Sequence, residues 1–370
     1  MRDNSYRPDI DGLRAISVMA IFAFHLGFSG FSGGFVGVDI FFVISGYLIV
    51  PKIADGLWQG NFSLVEFFEK RARRILPALI LVLVFSFVVG FFVLGPREYR
   101  EFALSAFATI VFGANIFFSD RSDYFADAAH QKPFLHAWSL GIEEQFYILI
   151  PLILMACWAF FKFSPKRVIL VITIASFIYN VVFIRIDETH TFYLPMSRFW
   201  ELGLGGLIAL YTRDLHVPKW GSLFSAFIGL ILLGIAIFAI DDQVRYPGEA
   251  VLLPVIGAAF LIFSGQYGLT PINRILGTLP FRYIGRLSYS IYLIHWPVIV
   301  FTRLYLSRPL ELTEQIMILL FSILWAALSW QFMERKVLSR TNIQFGRIAA
   351  GLVASLAVCL VMAGFVAFSN

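Results

Sequence analysis

Asp9-Ile10-Asp11-Gly12-Leu13-Arg14 opens onto Ala15-Ile16-Ser17-Val18-Met19-Ala20-Ile21-Phe22-Ala23-Phe24-His25-Leu26, a run that is apolar except at Ser17 and His25. Read as a helix, the eleven steps from Arg14 to His25 return to within about 20° of the start and rise about 16 Å. Arg14 and His25 therefore share one face, half a bilayer apart. An arginine at one mouth of a membrane span and an imidazole halfway through it suit a path that carries something inward from that mouth. A second reading stands beside this one: an arginine snorkelling to the interface, and a histidine hydrogen-bonded to a neighbouring helix. Ionisable groups inside membranes are functional candidates by default, which keeps the first reading open.

The rest of the composition agrees with a membrane setting. The 370 residues are 59% hydrophobic and 14% charged, against about 25% charged in ordinary soluble chains. This is the composition of a polytopic membrane protein. The net charge of +5 then reads first as loop charge that sets topology, and second as a means of holding anionic ligands or membrane lipids. Nucleic acid is not among the expected partners. Cys157 and Cys359 both lie in apolar segments with no metal-ligand spacing, so neither a disulfide framework nor a metal site is expected. The N-terminus imitates a signal peptide, with Arg2 and Arg7 before the apolar run, but no small-residue cleavage site follows and another apolar segment starts at once. It is kept as a span.

Twelve apolar segments stand out, at 13–28, 34–51, 75–95, 102–118, 139–161, 168–185, 197–212, 220–240, 249–265, 287–306, 313–332 and 347–368. The clusters Lys70, Arg71, Arg73, Arg74 and Lys162, Lys166, Arg167 should both face the cytoplasm, which needs an even number of crossings between them; three segments lie there. Making 102–118 re-entrant or interfacial resolves the parity, because it is short and a polar loop follows it. All 29 lysines and arginines except Arg97, Arg100, Arg121, Lys132, Arg185, Arg198, Arg245, Arg303 and Arg308 then fall on cytoplasmic pieces. The expectation is an all-α bundle of about ten core spans plus one further C-terminal span, N-terminus cytoplasmic and C-terminus periplasmic. Residues 1–335 form the transmembrane domain in this reading, and 336–370 a cytoplasmic linker and extra span leading to an extracytoplasmic domain. Glycines within spans, as at 33, 34, 37 and at 203, 205, 206, permit close helix approach.

Four groups of residues can carry chemistry. Asp39 lies near the outer end of the second segment, at a depth where it can meet His25; an Asp beside a His fixes its tautomer and steadies the cationic form. The alternative is a carboxylate reaching the interface. Arg71, Arg73 and Arg74 can hold phosphates in bidentate fashion, or act as a topological anchor and anionic-lipid contact. His136 to Tyr147 is the densest polar group at a membrane boundary, with Ser139 placed to cap the helix and Glu143 and Tyr147 one turn apart. Glu143 and Glu144 point about 100° apart, so one of them at most is expected to line a given cavity; carboxylates near a helix N-terminus also have a structural explanation. Arg198 and Glu201 are spaced for an intrahelical pair and read as structural. His295 follows Ser288, Tyr289, Ser290 and Tyr292, a second intramembrane histidine that an aromatic packing site explains equally well. No P-loop, dinucleotide fingerprint, nucleophile elbow or HExxH pattern is present.

Taken together and in order, these motifs resemble the membrane acyltransferase-3 group of bacterial O-acyltransferases. The likeness runs from Tyr6 to about Arg335. It rests on Arg7-Pro8-Asp9-Ile10-Asp11-Gly12-Leu13-Arg14-Ala15 with His25, on residues 33–49 including Asp39 and Ser45, and on Arg71-x-x-Arg74-Ile75-Leu76-Pro77. Trp138-Ser139-Leu140 with Glu143-Glu144-Gln145-Phe146-Tyr147, and Ser288 through His295-Trp296-Pro297, complete it. One departure is Glu334-Arg335-Lys336, where the group often has a Glu followed shortly by Pro, so Glu334 is given no role.

The resemblance implies transfer of an acetyl group from cytoplasmic acetyl-CoA to a sugar hydroxyl of an envelope glycan, most similar to the O-antigen branch, at the outer face of the inner membrane. It also implies fusion to an extracytoplasmic SGNH-type domain. Its candidate catalytic residues are His25, Asp39 and Glu143, with Arg14, Arg71 and Arg74 for the donor's phosphates. Asp11, Ser45, Trp138, Glu144, Tyr147 and His295 are further candidates. Two other classes compete with this one. A transporter of a small solute or glycolipid fits buried charge in a polytopic chain. A plain membrane anchor fits poorly, since it has no reason to bear an insertion cost of about 2.5 to 3.5 kcal/mol for each central charge.

Overall fold

The computed structural model describes residues 6–121, 124–213, 215–241, 243–267 and 270–339. The expected last span, 347–368, and Cys359 lie outside them, as does all of the expected C-terminal piece beyond residue 339. Among the described residues the fold is helical throughout, as the sequence predicts.

Local signals set the helix ends. Helix α1, Pro8–Leu26, starts with Pro at its first position and Asp9 and Asp11 in its first turn, and stops at Gly27, whose φ of 82° places it in the left-handed region. Helix α2, Gly37–Gln59, ends the same way at Gly60. Ser63 caps α3, Leu64–Val93, by accepting from the Glu66 amide at 3.3 Å. Helix α3 thus begins eleven residues before the apolar segment marked at 75, and Arg71 to Arg74 lie within the helix. The segment 102–118 breaks at Phe112, which has φ of 56°. It forms α4, Pro96–Ile110, and α5, Ala114–Ser119, in place of one helix of spanning length.

The remaining helices are α6, Trp138–Phe161; α7, Pro165–Phe183; α8, Glu188–Tyr193; α9, Phe199–Tyr211; α10, Lys219–Ala239; α11, Leu252–Ser264; α12, Pro271–Leu276; α13, Leu279–Leu306; α14, Leu312–Ser329; and α15, Arg335–Ser339, with a π-helical turn at Trp330–Glu334. Among the described residues, seven helices are long and apolar enough to cross a membrane, and α9 and α11 are shorter apolar helices. Helix α1, with 19 residues, matches them in length and carries Asp9, Asp11 and Arg14 at its start.

The chain divides into two compact units, Met1–Phe62 with Gln145–Ser288, and Ser63–Glu144 with Tyr289–Asn370. In the first, backbones meet at the glycines the sequence singles out. A Cβ on Gly34 would stand 2.2 Å from the Ala20 carbonyl oxygen and one on Gly37 2.4 Å from that of Ser17, so this stretch runs antiparallel to α1 in close contact. A Cβ on Gly46 would lie 1.7 Å from the Leu202 oxygen, and one on Gly205 2.0 Å from the Val43 oxygen, so the contact has no room for a side chain. Helices α2 and α9 run in parallel, since Arg198 pairs with Asp39 near their starts and Arg213 with Asp55 near their ends. In the second unit aromatic rings pack the interior. Phe102 stacks on Phe134 at 5.5 Å and meets the edges of Phe87 and Phe301. The Trp296 indole donates to the Lys132 carbonyl at 2.8 Å.

Candidate active site

In the first unit the Arg14 to His25 stripe lies on one unbroken helix, α1. His25 is 5% exposed, its ring 5.3 Å from that of Phe24. The N-terminal motif divides into two groups of different character. Arg7 and Asp9 are joined by two hydrogen bonds of 2.8 and 2.6 Å, and Arg7 also donates to the Ile262 carbonyl and the Tyr47 hydroxyl. Buried Asn273 donates to Asp9 at 3.1 Å. That network ties the start of α1 to α11 and α12, a structural task. Asp11 instead gathers cations. Arg14 is 3.8 Å and Arg286 3.9 Å from its carboxylate, and the Tyr6 hydroxyl donates to it at 2.6 Å while accepting from Arg282 and Arg286.

Both oxygens of Asp39 are engaged, with partners other than those the sequence suggested. Arg198 Nη1 donates to one at 2.8 Å and the Tyr246 hydroxyl to the other. The same Arg198 nitrogen donates to Glu201 at 2.9 Å, the i,i+3 pair expected from spacing, here between the residue that precedes α9 and the helix's first turn. Arg198 is 1% exposed. The structure thus places Asp39 in a buried cluster with Arg198, Glu201 and Tyr246, partners that the sequence did not point to. The alternative of a carboxylate at the interface falls away, since Asp39 is buried. Tyr246 carried no sequence signal; its partner lies 207 residues away. Ser45 is half-buried on α2, and Tyr147 is buried on α6 against Phe146.

The second unit brings together Arg71, Glu143 and Glu144. Arg71 Nη2 is 3.9 Å from a Glu143 oxygen and 4.0 Å from a Glu144 oxygen. A long guanidinium at the side of α6 thus comes within ion-pair range of both carboxylates although they point about 100° apart. Arg73 pairs with Glu69 one turn back on α3, and Arg74 bears electrostatically on Glu144. Ser139 does not cap α6. The helix starts at Trp138, and Ser139 Oγ lies 2.6 Å from the Tyr292 hydroxyl, which donates to the His136 carbonyl. Trp138 is buried with its ring edge toward Tyr124 at 6.0 Å. His295 Nδ1 donates to the Tyr292 carbonyl at 2.6 Å, and its ring lies 5.7 Å from that of His136 and 5.5 Å from that of Tyr292, as an aromatic packing site requires.

Glu334, left without a role by the sequence, is buried in the π-turn and accepts from Ser290 at 2.5 Å and Ser329 at 2.7 Å. π-Turns concentrate at functional sites, a signal visible in the fold alone.

Buried ionisable groups on apolar helices define this as a polytopic helical membrane protein built around polar sites. The acyltransferase domain family matches residues 7–364, and the chain belongs to that family. It is 31% identical over 352 residues to the O-acetyltransferase OatA of Staphylococcus aureus, 31% over 353 residues to the peptidoglycan O-acetyltransferase OatA of Listeria monocytogenes, and 30% over 365 residues to the putative peptidoglycan O-acetyltransferase YrhL of Bacillus subtilis. These alignments cover 90%, 90% and 92% of the chain but 57%, 56% and 56% of the relatives, so the chain spans little more than half their length. No solved structure matches it.

Proposed function

We propose that this protein is a membrane O-acetyltransferase that moves an acetyl group from acetyl-CoA to a hydroxyl of an envelope glycan. The observation that carries the reading is the acyltransferase family match across residues 7–364. Two of the relatives carry peptidoglycan in their names, which favours that glycan over the O-antigen acceptor suggested by motif style. The buried His25 on one uninterrupted helix with Arg14 supports the chemistry. An imidazole there takes the proton of the acceptor hydroxyl as its oxygen attacks the thioester carbonyl; the thioester C–S bond then breaks and the departing thiolate recovers the proton. General-base help of this kind is typically worth about 10² to 10⁴ in rate. In the first unit Arg14 is assigned to the donor's phosphates; in the second, Arg71 and Arg74 are, with Glu143 and Glu144 holding the Arg71 guanidinium in place until a phosphate competes for it. The protein lies in the bacterial inner membrane with its N-terminus cytoplasmic, the side on which acetyl-CoA is made.

The test is to supply acetyl-labelled CoA to inverted vesicles containing the protein, with peptidoglycan precursor or O-antigen glycolipid as acceptor. Label on a glycan is the expected result, and label held on the protein would mark an acetyl-imidazole stage at His25. Label on neither, with a solute accumulating instead, would replace the reading with a transporter.

A further inference from the structure

Behind the Arg14 to His25 stripe, with one end beside the Asp11 group, the first unit holds a cavity of about 440 Å³ walled by α1, α10 and α13. Its lining is apolar throughout and includes Ile16, Met19, Leu230, Gly234, Phe238 and Phe281. The α1 residues in it lie about 100° to 240° round the helix from Arg14, on the back of the stripe. Phe238 is 57% and Leu230 43% exposed, so the cavity opens on the outer surface of apolar spans, where hydrocarbon rather than water is the solvent.

Gly234 shows that this space is kept open. It sits inside α10, where glycine is the poorest ordinary helix former. Other span glycines of the unit are pressed against a neighbour: a Cβ at Gly229 would lie 2.8 Å from the Gly257 oxygen, and one at Gly203 2.1 Å from Thr173. A Cβ at Gly234 would meet nothing within 4 Å. Close helix approach does not explain this glycine, and what the missing side chain does is widen the cavity. One end of the wall is charged. The turn of α13 that supplies Pro280, Phe281 and Ile284 also carries Arg282, with Arg286 a turn further on, both around Tyr6. Exposed Arg274 is on α12, which packs on α1 and α10. Asp11, the carboxylate among them, is already shared between Arg286 and Arg14. That end is net positive.

We propose that the cavity holds one acyl chain of an anionic glycerophospholipid, with the phosphate on Arg282. At roughly 30 Å³ per methylene, about the share of a liquid water, the space takes on the order of fifteen methylenes. A basic side chain at the membrane surface favours an anionic headgroup by about fivefold.

The inference does not depend on acetyl transfer and is tested without it. The full chain, with Phe238 replaced by p-benzoylphenylalanine, is placed in bilayer discs of equal phosphatidylglycerol and phosphatidylcholine and irradiated, and its intact mass is measured. A phosphatidylglycerol adduct should exceed the phosphatidylcholine adduct by about fivefold, and Arg282→Ala should lower that ratio while Arg282→Lys keeps it. Gly234→Trp, which fills the space, should lower adduct formation by about tenfold or more, while Gly234→Ala should leave it. Ile16→Trp serves the same purpose if Gly234→Trp does not fold, and the lipid ratio in the unfilled cavity decides by itself if neither does. Equal adducts of the two lipids in the unfilled cavity would overturn the proposal. So would undiminished adduct in a folded Trp variant, or cross-links to residues 347–368 or to a second copy in place of lipid.

Discussion

At the scale of single residues, the buried bridge of Asp39, Arg198 and Glu201 sets the sharpest expectation. One guanidinium serves two buried carboxylates and Tyr246 donates to one of them. Removing one partner of such a group leaves an uncompensated charge, at about 3 to 5 kcal/mol, whereas removing a neutral donor costs about 1 to 3 kcal/mol. Arg198→Ala should therefore lower the thermal midpoint in detergent far more than Tyr246→Phe. Equal midpoints would mean that the cluster is not the support described here. His25 should behave in the opposite way. His25→Ala is expected to insert and melt like the unsubstituted protein while acetylation falls by about 10² or more; wild-type transfer by a normally inserted His25→Ala protein would remove His25 from the chemistry. For Arg71→Ala with Arg74→Ala, the expected change is a raised KM for acetyl-CoA. If acetyl-CoA binding is unchanged and reporter fusions show altered topology instead, these arginines return to the role of anchors.

At the scale of elements, the crossing of α2 and α9 controls that bridge. Asp39 lies in the first turn of α2 and Arg198 just before α9, and the two helices run in parallel past Gly46 and Gly205. Any side chain at either glycine must push the backbones apart and lengthen the Arg198 to Asp39 contact at the same time. Gly205→Leu should cost about 1 to 3 kcal/mol or more from overpacking, and combined with Arg198→Ala it should cost less than the sum of the two, since both act on one contact. Strict additivity in a double-mutant cycle of thermal midpoints would show that crossing and bridge are independent. The glycines at 33, 34, 37, 203 and 205 were legible as sites of close approach from composition. Which atom each one meets was not, because that is set by helices packed together by the fold.

At the scale of the whole molecule, the exposed apolar side chains are what a bilayer calls for. Phe92, Phe160 and Trp220 are among the most exposed large side chains, at 80%, 81% and 74%, and all sit on helices apolar enough to cross. The basic residues predict the sidedness. A reporter inserted between Lys162 and Lys166 should read as cytoplasmic and one beside Arg308 as extracytoplasmic; the reverse pattern would invert the proposed side of the donor.

What the sequence by itself determined is what local averages carry: a helical membrane protein, its main spans, the shared face of Arg14 and His25, and a family legible from motifs in order. Hydropathy and helical period need no knowledge of the rest of the chain. Only the tertiary structure decided who meets whom: Asp39 with Arg198 and Tyr246, both Glu143 and Glu144 with Arg71, Glu334 with two serines, and an apolar cavity lined by α1, α10 and α13 at Gly234. Buried polar groups must find partners wherever the packed backbones bring them, and those partners lie up to some two hundred residues away.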